Sequence, residues 1–132
     1  MQQKKLQAIM QIQLEVAIDA SNVAKVQAGQ IYMIATKEGF GVKYTGDMLA
    51  SRGGVTIDAK GNVVYNNIAS ESGGVNVKTT NGDVTTTGIT HNKDVNSDIA
   101  IEASGNVNNQ GQLVSARDVN ATAGNIFNNR HC

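Results

Sequence analysis

A tripeptide of Gly, then Asn or Asp, then an apolar residue recurs along this chain as Gly61-Asn62-Val63, Gly82-Asp83-Val84, Gly105-Asn106-Val107 and Gly124-Asn125-Ile126, at spacings of 21, 23 and 19 residues. A second landmark, apolar-x-apolar, reads Val55-Thr56-Ile57, Val75-Asn76-Val77, Ile99-Ala100-Ile101 and Val119-Asn120-Ala121, at spacings of 20, 24 and 20. A third is a lone apolar residue, Leu49, Ile68, Ile89 and Leu113, spaced 19, 21 and 24. Three landmarks in one fixed order, with a period near 21, demand an architecture of repeated units. Internal repeats of this length define solenoids and related arrays. Gly46-Asp47-Met48 is a further copy of the tripeptide, 15 residues before the first and therefore out of phase.

Each unit reads as a lone apolar residue, a polar corner, a short alternating strand, a Gly-Asn/Asp corner and another short strand. Alternation puts Val55 and Ile57 on one face and Thr56 on the other. One such coil cannot bury its own apolar face. Stacking lets Val55, Val75, Ile99 and Val119 form one interior column. The expected fold is therefore all-β: a right-handed parallel β-helix of about five coils. Strands about 4.8 Å apart would make a rod on the order of 24 Å long. The corner glycines are expected to supply positive φ. The corner Asn and Asp are expected to bond their own backbone. Asn66-Asn67, Asn108-Asn109 and Asn128-Asn129 follow the Gly-Asn strand and are expected to stack as amide ladders.

Composition agrees with this reading. Two Phe, three Tyr and no Trp leave little for an ordinary core built on large rings. The chain has no Pro, as suits ladders in which each N–H is used. A formal net charge of zero argues against a nucleic-acid partner, which needs a basic stripe. The single Cys132 forms no internal disulfide. Leucine-rich repeats need several fixed Leu per unit, and these repeats hold only Leu49 and Leu113. Gly53-Gly54-Val55-Thr56 and Gly73-Gly74-Val75-Asn76 both lack the third Gly of the calcium-binding nonapeptide.

The repeat is weaker in the first 45 residues. Residues 1–22 read as an N-terminal tail or cap, residues 23–129 as the β-helix and 130–132 as a tail. Leu6, Ile9 and Met10 have helical spacing, which predicts a short helix from Gln2 to Met10 that would cover the first coil's open edge. Gln11 to Ile18 alternates as a strand. Ala28 to Thr36 is a near-continuous apolar strand, and Gly39-Phe40-Gly41-Val42 is a turn with a return strand. One or two irregular coils are expected between Ile12 and Thr45. Gln7, Gln11, Gln13 and Glu15 interrupt the apolar run too often for a signal-peptide core, and no run reaches membrane-spanning length.

The block Ala28-Gly29-Gln30-Ile31-Tyr32-Met33-Ile34-Ala35-Thr36, Gly39-Phe40-Gly41-Val42 and Thr45-Gly46-Asp47-Met48-Leu49-Ala50-Ser51 resembles the filamentous haemagglutinin family. These are large exoproteins of two-partner secretion in Gram-negative bacteria, contact-dependent growth inhibition proteins among them. The block is similar to the junction between secretion domain and haemagglutinin repeat stalk. Gly61-Asn62-Val63 and Ser104-Gly105-Asn106-Val107-Asn108-Asn109 resemble the stalk, so the similarity covers about residues 23 to 129. It implies export through an outer-membrane two-partner-secretion transporter, a secreted or cell-surface location and a host or neighbouring-cell receptor or glycan as ligand. The expected role is a structural and adhesive segment, or a stalk presenting a toxin. The family's secretion domain carries Asn-Pro motifs, which a chain without Pro lacks, so the sequence reads as a fragment of a longer exoprotein. The alternatives are a β-helix carbohydrate-active enzyme, a trimeric phage tail-fibre module, or a truncated fragment without independent function.

Candidate chemistry is sparse. Sugar-cleaving β-helices use clustered carboxylates, and Asp58, Asp83, Asp94, Asp98, Glu102 and Asp118 are available. Acid–base work needs two of them about 5 to 9 Å apart, but Asp83 and Asp118 stand at apparent corners, where Asp is a routine turn former. His91 lies in the longest insertion, and His131 and Cys132 close the sequence. A structural metal site needs about four ligands, which these do not supply. Lys37, Lys43, Arg52, Lys60, Lys78, Lys93 and Arg117 are spread through the coils. They read as a solvated face, or as a cationic strip for polyanionic glycans. The expectation is a chain that is not an enzyme, with no catalytic, cofactor-binding or metal residues and no cofactor.

Overall fold

In a computed structural model the chain is a parallel β-solenoid of about five turns, each near 22 residues. The structure describes residues 9–14, 18–19 and 25–128. Its strands are β1 (Ile9–Leu14), β2 (Ile18–Asp19), β3 (Lys25–Ala35), β4 (Val42–Ala59) and β5 (Val63–Ser70). They continue as β6 (Val75–Thr79), β7 (Val84–Thr86), β8 (Ile89–Asn92) and β9 (Ile99–Ala103). The last four are β10 (Asn106–Asn109), β11 (Gln112–Ser115), β12 (Val119–Thr122) and β13 (Asn125–Asn128). All strand pairings among the described residues are parallel.

Three faces enclose the interior. The first stacks β1, the end of β3, the end of β4, β6, β9 and β12, so that Met10, Ile31, Val55, Val75, Ile99 and Val119 share one register position. The second stacks β2, the start of β4, the start of β5, β7, β10 and β13, aligning Ile18, Val42, Val63, Val84, Val107 and Ile126. The third stacks the start of β3, the middle of β4, the end of β5, β8 and β11, aligning Val26, Met48, Ile68, Thr90 and Leu113. The first two landmarks of the sequence are therefore interior columns. Ile31, Ile57, Val63, Val75, Val84 and Ile99 are fully buried. Each removes apolar surface from water, roughly 1.5–3 kcal/mol per side chain.

The third landmark is shifted by one residue at two of its four members. Met48, and not Leu49, aligns with Ile68, and Leu49 pairs with Ala69 in the outward row. Thr90 fills the next interior position while Ile89 is 48% exposed. Thr90 is inside because Tyr65 is inside: the two hydroxyls lie 2.9 Å apart within the core. A buried phenol needs a partner, and an aliphatic residue at position 90 would remove the Thr90 hydroxyl from beside it.

The long strands β3 and β4 turn corners without breaking. Their ladders shift register between Ala28 and Gln30 and between Tyr44 and Asp47. This is why the sequence from Ala28 onward reads as one strand although it contributes to two faces. Gly46-Asp47-Met48 lies on such a corner and delivers Met48 to the third face, which explains its phase. The predicted helix from Gln2 to Met10 is corrected at its end: Ile9 and Met10 belong to β1. The remainder of that segment lies outside the described residues, and no helix occurs among those described.

The Gly-Asn/Asp corners also work differently from expectation. No residue other than Gly has positive φ among those described, and the glycines in the left-handed region are Gly39, Gly54, Gly73 and Gly74. At Gly54 (φ +80) a Cβ would also stand 2.6 Å from the Gly73 carbonyl of the next coil. Gly61, by contrast, is required by close approach, since a Cβ there would stand 2.6 Å from the Gly39 carbonyl. The residue after each corner glycine bonds the next coil and not its own backbone. Asp83 N–H donates to Asn62 Oδ1 at 2.9 Å, Asn106 N–H donates to Asp83 Oδ1 at 2.8 Å, and Asn125 Nδ2 donates to Asn106 Oδ1 at 3.3 Å. The side-chain ladder therefore runs up this corner. The expected Asn66–Asn108 stack does not form, because Asn108 aligns with Thr85 and Asn109 with Thr86 and Tyr65. Asn66 and Asn67 instead accept hydrogen bonds from the Thr87 hydroxyl (3.1 Å) and the Ile89 N–H (2.9 Å).

Candidate functional site

Outward positions of the first face form regular rows along the rod. Period-two alternation places the residue after each interior Ile or Val on the outside. Two parallel rows result. One holds Tyr32, Thr56, Asn76, Ala100 and Asn120; the other holds Ile34, Asp58, Lys78, Glu102 and Thr122. Asp58, Lys78 and Glu102 thus alternate in sign along the rod axis, one per coil, about 4.8 Å apart. Residues from these rows line a shallow open depression that spans four coils. The arrangement offers an extended ligand a flat platform with charged groups of both signs beside amide and hydroxyl groups.

The other sequence candidates are dispersed. Asp83 belongs to the corner ladder. Asp94 organises the 93–98 corner, accepting from Gly73 N–H at 2.8 Å, Asn96 N–H at 2.9 Å and the Ser97 hydroxyl at 2.9 Å. These donors, Gly73 first, hold its carboxyl below the ordinary Asp range. The fully buried Asn92 secures the same corner from inside, donating to Ser97 O at 2.7 Å and accepting from Asp94 N–H at 3.0 Å. Asp98 binds the Arg117 guanidinium through Nε at 2.7 Å and Nη2 at 3.3 Å, and it also accepts from Asp118 N–H at 3.1 Å. The guanidinium lowers the Asp98 pKa, and Asp98 in turn raises that of Arg117.

The basic residues do not assemble into one strip. Lys78 is on the first face and Lys43 on the second. Lys37 sits over the Phe40 ring at 5.5 Å. Lys93 pairs with Glu71 at 3.3 Å, and Arg117 pairs with Asp98. Arg52 and Lys60 lie at or beside corners between faces. His91 stands on the outer third face, beside Leu49, Ala69, Ile89, Asp47 and Asn67 around a second open depression. Among the described residues no group of three His, Cys, Asp or Glu side chains is placed to hold a metal ion. His131 and Cys132 lie outside the described residues.

The sequence reading named Asp58, Glu102 and Lys78 separately and missed that they share a row. The signal was present: each follows the second apolar residue of its triplet, after Ile57, Ile101 and Val77. The molecule is, by its architecture, a parallel β-solenoid of stacked repeats. Comparison of the chain with protein-family models, with curated proteins and with solved structures gives no match.

Proposed function

We propose that this chain is a structural and adhesive stalk segment of a large exoprotein like those of the filamentous haemagglutinin family, exported through a partner outer-membrane transporter and displayed at the bacterial surface. The observation that carries this reading is the in-register stacking of coils, which makes a rod with repeated polar side chains facing outward. Such a rod spaces what it carries from a surface and presents its flat faces to a ligand. The resemblance of the 28–51 block to the stalk junction supports the same role. Host or neighbouring-cell glycans are the ligand class that suits the row Asp58, Lys78 and Glu102 with its flanking Asn76, Thr56 and Asn120. The protein acts as a binding and spacing element, and turnover is not part of the role.

The test is adhesion of the folded, fluorescently labelled chain to cells and to a glycan array. Saturable binding, reduced at least tenfold by Lys78→Glu with an unchanged circular dichroism spectrum, is the expected result. Binding indifferent to Lys78→Glu, Asp58→Lys and Glu102→Lys overturns the assignment to the first face. Absence of binding to cells and glycans alike overturns the adhesive role.

A further inference from the structure

Asn81 is followed by Gly82, and every other Asn of the sequence precedes a residue with a side chain. The pair lies in the bend between β6 and β7, where Asn81 is exposed. A glycine in second place leaves its main-chain nitrogen unobstructed by a Cβ of its own, so that nitrogen can reach the Asn amide carbon. The Asn81 side chain makes a long hydrogen bond, Nδ2 donating to Glu38 Oε1 at 3.5 Å. The Gly82 N–H donates to Ser104 Oγ of the next coil at 3.0 Å. The surroundings leave no slack. A Cβ on Gly82 would stand 2.6 Å from Asn62 Oδ1 and 2.8 Å from the Gly61 carbonyl carbon of the coil before. One residue on, Asp83 ties three coils together: its N–H donates to Asn62 Oδ1 at 2.9 Å, and its Oδ1 accepts from Asn106 N–H at 2.8 Å.

From this geometry we propose that Asn81 is a self-modifying site, converted to aspartate and isoaspartate at a rate held down by Ser104. The Gly82 nitrogen attacks Asn81 Cγ. A C–N bond forms, and the amide NH2 leaves as ammonia with the proton from the Gly82 nitrogen, giving a cyclic imide. Water then adds to either imide carbonyl and breaks its bond to nitrogen. Opening at Cγ gives aspartate on the original main chain. Opening at the Asn81 main-chain carbonyl gives isoaspartate, in which the chain runs through Cβ and Cγ. The attacking nitrogen must turn from Ser104 and lose its proton, so the Ser104 bond opposes the first step. Isoaspartate lengthens the main chain by a methylene at a corner with no room for a Cβ. Asp83 is thereby pushed off Asn62 and Asn106. Either product also sets a new carboxylate beside Glu38.

The test incubates the whole chain in mildly alkaline buffer, without and with urea. Trypsin peptides are then mapped by mass spectrometry with fragmentation that separates aspartate from isoaspartate. In the folded chain, conversion at Asn81 should outrun that at the exposed Asn96, which precedes Ser97. Ser104→Ala should raise the folded-state rate roughly two- to tenfold, the equivalent of one hydrogen bond. Ser104→Thr should restore the slow rate, and all three chains should convert alike in urea. The isoaspartate form, separated by anion exchange, should melt below both the parent and Asn81→Asp. Conversion at Asn81 no faster than at Asn96 in the folded chain overturns the site. Equal folded-state rates for the wild type and Ser104→Ala, or a Ser104→Ala effect that persists in urea, overturn the control by Ser104. An isoaspartate form that melts with the parent overturns the effect on the corner.

Discussion

The third face provides the sharpest test of the packing, because two adjacent apolar residues there have opposite fates. Met48 is 1% exposed and sits between Val26 and Ile68 in an interior column, whereas Leu49 is half-buried in the outward row with Gln27 and Ala69. Met48→Ala removes buried methylene and thioether groups from a column that cannot collapse without shifting two neighbouring coils. The cost is about 2–5 kcal/mol, the range for such truncations in closed cores. Leu49→Ala removes only partly buried surface and costs about 1 kcal/mol or less. The assay is urea unfolding of each variant, followed by far-ultraviolet circular dichroism and by tyrosine fluorescence, which reports on Tyr32, Tyr44 and Tyr65 together. Stacked repeats open one after another when their interfaces weaken, so the two probes must agree before a midpoint is converted to free energy. A Leu49→Ala loss equal to or larger than that of Met48→Ala would refute the register of this face.

Two further outcomes follow from buried and corner groups. Tyr65→Phe strands the Thr90 hydroxyl and is expected to cost about 1–3 kcal/mol. Burial raises the Tyr65 pKa above its ordinary 10.0, so the neutral phenol's contribution is complete below pH 10 and is lost as the pH climbs towards the raised value. The stability gap between the wild type and Tyr65→Phe should therefore narrow above pH 10 in denaturant titrations, and a gap that widens there contradicts the assignment. Asp94 has a lowered pKa, so its contribution is present above the ordinary value of 3.8 and disappears as the pH falls through the depressed one. Asp94→Asn should be less stable than the wild type at neutral pH, and the difference should shrink on acidification; thermal melts from pH 7 down to pH 2 read this, and a difference independent of pH contradicts it.

The first and second faces were legible in the coils where apolar residues alternate with polar ones. In Val55-Thr56-Ile57 and Gly61-Asn62-Val63 only one parity can point inward. The third face was not, because Met48-Leu49 offers an apolar residue at either parity and Ile89-Thr90 inverts the usual preference. What decides the parity is a tertiary demand, the need of the Tyr65 phenol for a partner one coil away. The glycines of the Gly-Asn/Asp corners were found by pattern, yet the left-handed φ expected of them belongs to Gly39, Gly54, Gly73 and Gly74 at other turns. Close approach between coils depends on stacking, which no single repeat displays. The charged row of the first face became visible only once the register had set Asp58, Lys78 and Glu102 side by side.

The fourth coil, β6 to β8, lines the interior with Thr79, Thr86, Thr90 and Asn92, where the coil before it carries Ala59, Tyr65, Ile68 and Ser70 at the same places. Three of these four meet specific partners: Thr79 donates to Gly61 O at 2.6 Å, Thr90 meets Tyr65, and Asn92 donates to Ser115 Oγ at 3.1 Å as well as to its own corner. Chains of near-equal repeats face a hazard that unique sequences do not. A folding coil can be skipped, with the next laid in its place, and Val still stacks on Val. If the fifth coil were set directly on the third, Tyr65 would face Leu113 in place of Thr90 and lose that hydroxyl partner, a loss of about 0.5–1.5 kcal/mol. The polar coil thus ties the fourth coil to its neighbours by specific partners that a skipped coil would forfeit.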